Sequence, residues 1–146
     1  MKRFVLIPAY QPDETLLTLV MQLRLLGLDP VVVDDGSGDG YAGVFRACSA
    51  HAAVLTHAEN RGKGAALKTG LACLRERAAP PYAVATADAD GQHAPNDILR
   101  VLEAAADAPD TLILGSNTTS ALHTTVYPPA VSAVSARPRF SAFTRM

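Results

Sequence analysis

Residues 82–92 read Tyr-Ala-Val-Ala-Thr-Ala-Asp-Ala-Asp-Gly-Gln, an apolar run that ends in two carboxylates, a glycine and an amide. The run 82–87 is short and apolar and is followed by a polar turn, which indicates a buried strand. In an extended chain, residues two apart point to the same side, so Asp88 and Asp90 are expected to share one face. The sequence therefore predicts a strand that delivers two acids at its C-terminal end.

This acidic end has the composition of a site for a divalent cation. Asp88 and Asp90 offer carboxylate oxygens, Gly91 allows the backbone to approach a ligand closely, and Gln92 and His93 add neutral ligands or donors. A hard cation bound to a diphosphate needs ligands of this kind. The alternative is a polar turn between strand and helix in which an aspartate only caps the helix.

Strand-like and helix-like segments alternate along the chain with short connections. The strands are apolar throughout, which favours a mostly parallel sheet covered by helices on both faces, an α/β fold. Sheets of this type bind ligands beyond the carboxyl ends of their strands, so the polar loops that follow strands should converge on one edge. The predicted strands are 4–7, 31–33, 53–55, 82–87 and 111–114, and the predicted helices are 14–26, 41–48, 63–77 and about 95–106.

The first predicted helix has clear local signals at both ends. Asp13 is a suitable N-cap and Gly27 a suitable terminator. Between them, apolar residues recur at helical spacing and predict one buried face, formed by Leu16, Leu19, Val20, Leu23 and Leu26.

Composition narrows the class of protein. With 146 residues, 49% hydrophobic and 18% charged, the chain is expected to form a globular core, and its net charge of −1 argues against nucleic acid as a partner. Cys48 and Cys73 fall on apolar helix faces and are interpreted as core thiols of a reducing compartment. No apolar run approaches the about 20 residues of a membrane span, and the apolar run at the start of the chain is too short for a signal peptide. We therefore expect a soluble, cytoplasmic protein.

The second strand leads into Asp34-Asp35-Gly36-Ser37. Adjacent acids at the end of a buried strand repel each other unless a positive or donating group lies nearby. Such a carboxylate could accept hydrogen bonds from a nucleobase or from ribose hydroxyls. The alternative is a cap for the next helix, for which Ser37 or Asp39 would be sufficient.

Residues 38–43 of the same loop, Gly-Asp-Gly-Tyr-Ala-Gly, fit the dinucleotide fingerprint G-x-G-x-x-G, with Glu59 about 20 residues further on. A pyrophosphate there would meet Asp34, Asp35 and Asp39 with no cation built in. The fingerprint normally follows the first strand of its unit, whereas here it follows the second. A dinucleotide-dependent oxidoreductase is therefore the weaker alternative.

The third polar loop, Asn60-Arg61-Gly62-Lys63-Gly64, is basic and rich in glycine. Its backbone could approach a phosphate, and the N-terminus of the following helix favours an anion. It is not a Walker loop, because Gly64 stands where Ser or Thr should follow the lysine. A solvated basic helix start is the alternative. The four histidines, His51, His57, His93 and His123, share no metal-ligand spacing, and a single loop histidine such as His93 is more often solvated than a ligand.

Four motifs occur in order: Ile7-Pro8-Ala9-Tyr10, Val33-Asp34-Asp35-Gly36-Ser37, Asn60-Arg61-Gly62-Lys63-Gly64-Ala65-Ala66 and Asp88-Ala89-Asp90-Gly91-Gln92. Together they resemble the signatures of glycosyltransferase family 2, with its Rossmann-like GT-A fold, and are most similar to the polyprenyl-phosphate branch. The resemblance covers residues 2–116. It implies a nucleoside-diphosphate-sugar donor, Mg²⁺ or Mn²⁺ as cofactor, and a lipid-phosphate or saccharide acceptor that would bring the protein to the inner face of the membrane.

The resemblance also implies roles for individual residues, position by position. Asp88 and Asp90 would be the catalytic carboxylates and metal ligands, with Gln92 as a further ligand and Asp88 also facing the ribose. The nucleotide would be bound by Pro8, Ala9, Tyr10, Asp34, Asp35 and Lys63, with Glu14 near the pocket.

The resemblance ends near residue 116. Family members of this branch continue with Gly-Ser-Arg, whereas Gly115-Ser116 is followed here by Asn117. We therefore expect a nucleotide-sugar-binding domain at 1–116, incomplete on its acceptor side, and a tail at 117–146 that is irregular, poorly packed or disordered. A non-catalytic fragment that keeps the donor pocket is the alternative to an active transferase.

Overall fold

The computed structural model describes the backbone of residues 1–107, 111–117, 120–127 and 139–144, and the side chains of residues 1–107. The described strands are β1 (Lys2–Ala9), β2 (Asp29–Asp34), β3 (Ala53–Thr56), β4 (Tyr82–Thr86), β5 (Thr111–Asn117), β6 (Ser120–Tyr127) and β7 (Arg139–Thr144). The described helices are α1 (Thr15–Leu25), α2 (Ala42–Ser49), α3 (Lys63–Arg77) and α4 (Pro95–Asp107), with a short 3₁₀ turn at Asp39–Tyr41 before α2.

The described strands form one sheet in the order β3-β2-β1-β4-β6-β5-β7. The first four strands pair in parallel, β6 runs antiparallel to both β4 and β5, and β7 is parallel to β5. The chain builds outward from β1 to β3 and then returns to place β4 on the other side of β1. The strand order therefore reverses between β1 and β4, and such a reversal opens a crevice at the carboxyl ends of the two strands.

Helices cover both faces of the sheet, as the alternating pattern predicts. Alternate residues of β1 point to opposite faces. Val5 and Ile7 belong to a core shared with α1, α2 and α4, whereas Leu6 belongs to a second core shared with α3. Gly70 of α3 lies so close to the sheet that a Cβ atom there would be 2.2 Å from Leu6 Cδ1. The α/β fold with a mostly parallel, helix-covered sheet is confirmed.

Helix α1 follows its local signals closely. The Asp13 carboxylate accepts a hydrogen bond from the Thr15 amide at 2.8 Å, so Asp13 caps the helix as predicted. At the other end Gly27 has φ of +73°, and the amide of Leu28 donates to the Leu23 carbonyl at 3.0 Å, which completes a glycine-terminated helix end. The buried residues are Leu16, Leu19, Val20 and Leu23.

The expectation of an irregular tail is wrong for the two described segments after residue 117. Strand β6 lies between β4 and β5 and pairs Tyr127 with Tyr82 and His123 with Thr86. Its Thr- and Val-containing sequence suits a strand, but only the neighbours β4 and β5 complete its hydrogen bonds. Residues 118–119, 128–138 and 145–146 lie outside the described residues. The domain division at residue 116 stays a prediction.

Two expectations from composition concern the cysteines and the membrane. Cys48 is buried in the core, Cys73 is partly buried, and both are free thiols. Burial raises the pKa of the Cys48 thiol, which makes it less reactive. Within the described ranges, the helices are too short and too polar for any of them to span a bilayer.

Candidate functional site

Four polar loops follow the carboxyl ends of the parallel strands and meet at one edge of the sheet. We number them loop 1 (residues 10–14), loop 2 (35–38), loop 3 (57–62) and loop 4 (87–94), after β1, β2, β3 and β4 respectively. Because the strand order reverses between β1 and β4, loops 1 and 4 flank the crevice and loops 2 and 3 extend one side of it. The convergence expected from the sequence is therefore observed.

Loops 1 and 2 are joined through their backbones. The Asp35 amide donates to the Ala9 carbonyl at 2.8 Å, and the Gln11 amide donates to the Ser37 hydroxyl at 2.8 Å. These bonds fix the turn after β1 and leave the Tyr10 side chain projecting, with 51% of the residue exposed. The ring of Tyr10 is thus available to stack on a planar ligand.

Asp34 serves the structure of loop 2. The residue is buried, and its carboxylate accepts a hydrogen bond from the Ser37 amide at 2.9 Å. Its carbonyl accepts a bond from the His57 amide at 2.8 Å, which continues the pairing of β2 with β3 into loop 3. Asp34 therefore closes a local turn as well as lying at the edge of the site.

Asp35 is only 3% exposed, and both of its carboxylate oxygens have partners in loop 3. Oδ1 accepts from the Arg61 amide at 3.0 Å and contacts His57 Nδ1 at 2.7 Å, and Oδ2 accepts from the Gly62 amide at 2.8 Å. Burial acts to raise the pKa of Asp35, but the bonds from Arg61, His57 and Gly62 together outweigh it and lower that pKa. The carboxylate lies inside the protein, where it organises loop 3.

This arrangement changes the interpretation of the glycine-rich loop. The sequence suggests that the backbone before α3 receives a phosphate, but the amides of Arg61 and Gly62 already bind Asp35. A phosphate at this edge would therefore interact with the Lys63 side chain and with the N-terminal end of α3. These two amides therefore bind an anionic group of the protein itself, the Asp35 carboxylate.

Gly36 allows loops 2 and 3 to touch. Its φ is +72°, and a Cβ atom there would lie 2.2 Å from the carbonyl carbon of Glu59 and 2.4 Å from the amide nitrogen of Asn60. Only glycine fits this backbone-to-backbone contact.

An ion pair between Lys63 Nζ and Asp88 Oδ1 joins the start of α3, directly after loop 3, to loop 4. The Lys63 side chain is exposed and that of Asp88 is partly exposed, so the pair lies at the open surface of the crevice. Lys63 is the first residue of α3, and Asp88 follows β4 by two residues. The bridge places a cation and an anion side by side where the strand order reverses.

Loop 4 is a turn, so the expectation that Asp88 and Asp90 share one face of an extended chain is wrong. Residues 89–90 form the turn, and the Asp90 carboxylate accepts a hydrogen bond from the Gln92 amide at 3.1 Å. Gly91 has φ of +73°, and a Cβ atom there would lie 2.7 Å from Thr15 Cγ2. Asp90 and Gln92 are exposed at the tip of this turn.

His93 is buried, with 2% exposure, which contradicts the expectation of a solvated loop histidine. Its Nδ1 accepts a hydrogen bond from the Asp88 amide at 3.2 Å. The ring thus lies beneath loop 4 and supports the backbone of a candidate metal ligand. No local pattern in the sequence separates His93 from the other histidines, since its burial arises from tertiary packing.

The residues of loop 4 suit a cation whose coordination is completed by oxygen atoms of a bound ligand. Within residues 1–107 and the other described segments, no group of three His, Cys, Asp or Glu side chains could hold a metal alone. Mg²⁺ in nucleotide sites commonly uses one or two carboxylates together with phosphate oxygens and water. Asp88 and Asp90, with the amide of Gln92, are a donor set of that smaller kind.

The structure brings most of the predicted site residues to one edge. Pro8, Ala9 and Tyr10 lie at the end of β1, Asp34 and Asp35 at the end of β2, Lys63 at the start of α3, and Asp88, Asp90 and Gln92 in loop 4. Glu14 is exposed immediately before α1. His57 is a further residue of this edge that none of the sequence motifs contains, although its position directly after β3 is the same signal that identifies the other loops.

Comparison with known proteins agrees with this architecture. The model of the family "Glycosyl transferase family 2" matches residues 4–145. An uncharacterized protein of Methanocaldococcus jannaschii is 36% identical over 101 residues, which cover 68% of this chain and 40% of that protein. A UDP-N-acetylglucosamine–dolichyl-phosphate N-acetylglucosaminyltransferase of Methanococcus voltae is 29% identical, over 77% of this chain and 51% of that protein. The chain spans about half the length of these relatives or less.

Solved structures share the fold at low sequence identity. Glucosyl-3-phosphoglycerate synthase from Mycobacterium tuberculosis, solved with Mn²⁺, uridine diphosphate and glucosyl-3-phosphoglycerate, superposes with a TM-score of 0.60 and 20% identity, over 77% of this chain and 42% of that chain. A 4-diphosphocytidyl-2C-methyl-D-erythritol synthase superposes with a TM-score of 0.62 and 16% identity, over 86% of this chain and 72% of that chain. The fold is therefore that of nucleotide-sugar transferases, and the dinucleotide-oxidoreductase alternative is not supported. With its family match over most of the sequence, the chain belongs to glycosyl transferase family 2.

Proposed function

We propose that this chain binds a nucleoside-diphosphate sugar together with Mg²⁺ or Mn²⁺ at the crevice between loops 1 and 4. The observation that carries the proposal is the ion pair between Lys63 and Asp88 at the point where the strand order reverses. A diphosphate needs a cationic group, and its metal needs a carboxylate, and this pair supplies both at adjacent positions.

Each part of the donor has candidate partners. The exposed ring of Tyr10 is suited to stack on the base. Pro8 and Ala9, which precede it in β1, and Asp34 and Asp35 at the neighbouring end of β2 are the other residues proposed for the nucleotide side, with the buried Asp35 acting through its hold on loop 3. Lys63 would turn from Asp88 to the phosphates. Asp88, Asp90 and Gln92 would hold the cation, with Asp88 also near the ribose and Glu14 at the rim.

The chemistry assigned to the site is sugar transfer. Asp88 and Asp90 would hold a cation that, when bound, would neutralise the diphosphate and so make it a better leaving group for attack of an acceptor oxygen on the anomeric carbon. The residues of this chain would orient the diphosphate through Lys63 and hold the cation through the carboxylates of Asp88 and Asp90. Fixed positions of these groups reduce the reorganisation needed during the reaction.

The acceptor proposed for the parent reaction is a polyprenyl phosphate. The dolichyl-phosphate transferase of Methanococcus voltae supports this choice by its relation to 77% of the chain, and a saccharide acceptor is the other possibility. A lipid-phosphate acceptor would bring the protein to the cytoplasmic face of a membrane as a peripheral protein.

A nucleotide-sugar-binding module without transfer activity is the second candidate. It is favoured by the position of the four donor-side motifs, which all lie before residue 93. Donor binding and transfer can therefore be separated experimentally.

Calorimetric titration with the diphosphates of uridine, guanosine, adenosine, cytidine and thymidine tests donor binding. We expect at least one to bind in Mn²⁺ and to lose affinity by about tenfold or more in excess chelator, because the cation neutralises the diphosphate. Absence of binding to every nucleotide with Mn²⁺ or Mg²⁺ would contradict the proposal. Assay of the matching sugar nucleotide with polyprenyl phosphate then separates transfer from binding alone.

A further inference from the structure

We propose that His57 is a positioning residue for the diphosphate side of this site. It acts through Asp35 to set the shape of loop 3 and hence the position of Lys63. The inference rests on the proposed nucleotide-binding function, and it adds a residue that none of the four sequence motifs contains.

The two ends of loop 3 meet on one carboxylate. At the start of the loop, the His57 ring contacts Asp35 Oδ1 at 2.7 Å. At its end, the amides of Arg61 and Gly62 donate to Oδ1 and Oδ2 of the same residue at 3.0 and 2.8 Å. Loop 3 is thereby closed into a ring around Asp35, and Lys63 is the next residue after the closure.

His57 is itself held in one orientation. Its Nε2 contacts the Thr69 hydroxyl of α3 at 2.8 Å, and the residue is only 8% exposed. The ionised Asp35 carboxylate can only accept, so Nδ1 carries the proton, and Nε2 of a neutral ring accepts from Thr69. The ring therefore links loop 2, loop 3 and the body of α3.

The network is buried and fully paired. Within residues 1–107, every buried side-chain nitrogen or oxygen has a hydrogen-bond partner. Removing the His57 donor would leave one Asp35 bond unmade in a region closed to water, which is more costly than the loss of an exposed bond. The Asp35 carboxylate would then hold Arg61 and Gly62 with less support, and Lys63 would lose its fixed approach to Asp88.

Two substitutions separate the roles of the two ring nitrogens. The side-chain amide of His57→Asn can place an N–H near the position of Nδ1 and keep the bond to Asp35. The longer side chain of His57→Gln places its amide near Nε2 and reaches Thr69 instead. His51→Asn, a change at an exposed histidine, is the matched control.

The first measurement needs no nucleotide. Amide hydrogen exchange of Arg61 and Gly62 should accelerate by about tenfold or more in His57→Gln and should stay within about threefold of wild type in His57→Asn and His51→Asn. Nitrogen NMR of the wild-type ring should show the Nδ1–H tautomer. Both measurements test the contact of His57 with Asp35 and loop 3, whether or not the chain binds a nucleotide.

The second measurement compares a nucleoside diphosphate with its nucleoside in Mn²⁺. His57→Gln should weaken the diphosphate by about tenfold and the nucleoside by less than about twofold, and His57→Asn should restore the diphosphate affinity. Thr69→Val should also weaken the diphosphate more than the nucleoside, but by a smaller factor. This variant tests the proposal if the His57 variants fail to fold. Equal behaviour of His57→Gln and wild type, or equal losses for nucleoside and diphosphate, would overturn the proposal.

Discussion

Lys63 and Asp88 form an ion pair across the crevice between α3 and the end of β4, at the point where the strand order reverses. Both residues have a proposed role in donor binding, Lys63 toward phosphate and Asp88 toward the cation. The two side chains carry opposite charge and contact each other, so each partly neutralises the other, although solvent weakens this exposed pair. Binding of the donor with its cation should therefore break this ion pair, because Lys63 would then contact phosphate and Asp88 the cation.

Lys63→Met should weaken a nucleoside diphosphate by about 10- to 100-fold in Mn²⁺, because a charged contact to phosphate is lost. Affinity for the free nucleoside should change little. Lys68→Met, at an exposed position of the same helix, is the control and should bind like wild type. The measurement is calorimetric titration, and an equal loss for nucleoside and diphosphate would exclude a phosphate role for Lys63.

Asp90→Ala should remove the dependence of diphosphate affinity on Mn²⁺. The carboxylate is exposed at the tip of loop 4 and is proposed to bind the cation, so its loss should reduce affinity to the level measured in chelator. Asp97→Ala, at a partly exposed carboxylate near the start of α4, is the control. If Asp90→Ala retains the full response to Mn²⁺, the cation is held elsewhere.

Gly36→Ala should disrupt the contact between loops 2 and 3. The new Cβ would overlap the backbone of Glu59 and Asn60, and alanine would be strained at a φ of +72°. We expect the free energy of unfolding to fall by about 1–3 kcal/mol or more and nucleotide binding to be lost.

Gly43→Ala is the control for this change. Gly43 lies within α2, and a Cβ atom there would meet nothing within 4 Å. The control should be neutral or more stable by up to about 1 kcal/mol, since alanine favours a helix. Chemical denaturation of both variants checks the prediction, and equal stability of Gly36→Ala and wild type would refute the close packing.

Asp35 should contribute to stability in a pH-dependent way. Its pKa in the folded protein is lowered from an ordinary value of 3.8. A carboxyl group with a lowered folded pKa stabilises the protein at pH values above 3.8, and this contribution is lost as the pH falls from there toward the folded pKa.

Asp35→Asn should therefore be less stable than wild type at neutral pH and should show a smaller further loss in acid. The free energy of unfolding, measured in urea from neutral pH to about pH 3, gives the difference. Asp39→Asn, at an exposed acid before α2, should follow the wild-type profile. A constant gap between Asp35→Asn and wild type at every pH would show that the effect of Asp35 is not electrostatic.

The local elements of this protein could be predicted from its sequence because their signals lie within a few residues of each other. The bounds of α3 agree with the prediction, and Asp13 and Gly27 end α1 as expected. The four loops after parallel strands were also identified, since a buried strand followed by polar residues is a local pattern. These features, with the parallel topology they imply, were sufficient to indicate the fold and the edge that carries the site.

The roles of individual side chains depended on contacts between distant parts of the chain. The resemblance implies that Asp35 binds the nucleotide, whereas its bonds to His57, Arg61 and Gly62, which span 22, 26 and 27 residues, could not be predicted from local sequence. Strand β6 was missed because its hydrogen bonds are completed only by β4 and β5. Periodicity and capping report local geometry, whereas burial and pairing arise when loops meet at the sheet edge. Tertiary structure alone therefore decided that Asp35 would bind loop 3 and that Lys63 would face Asp88.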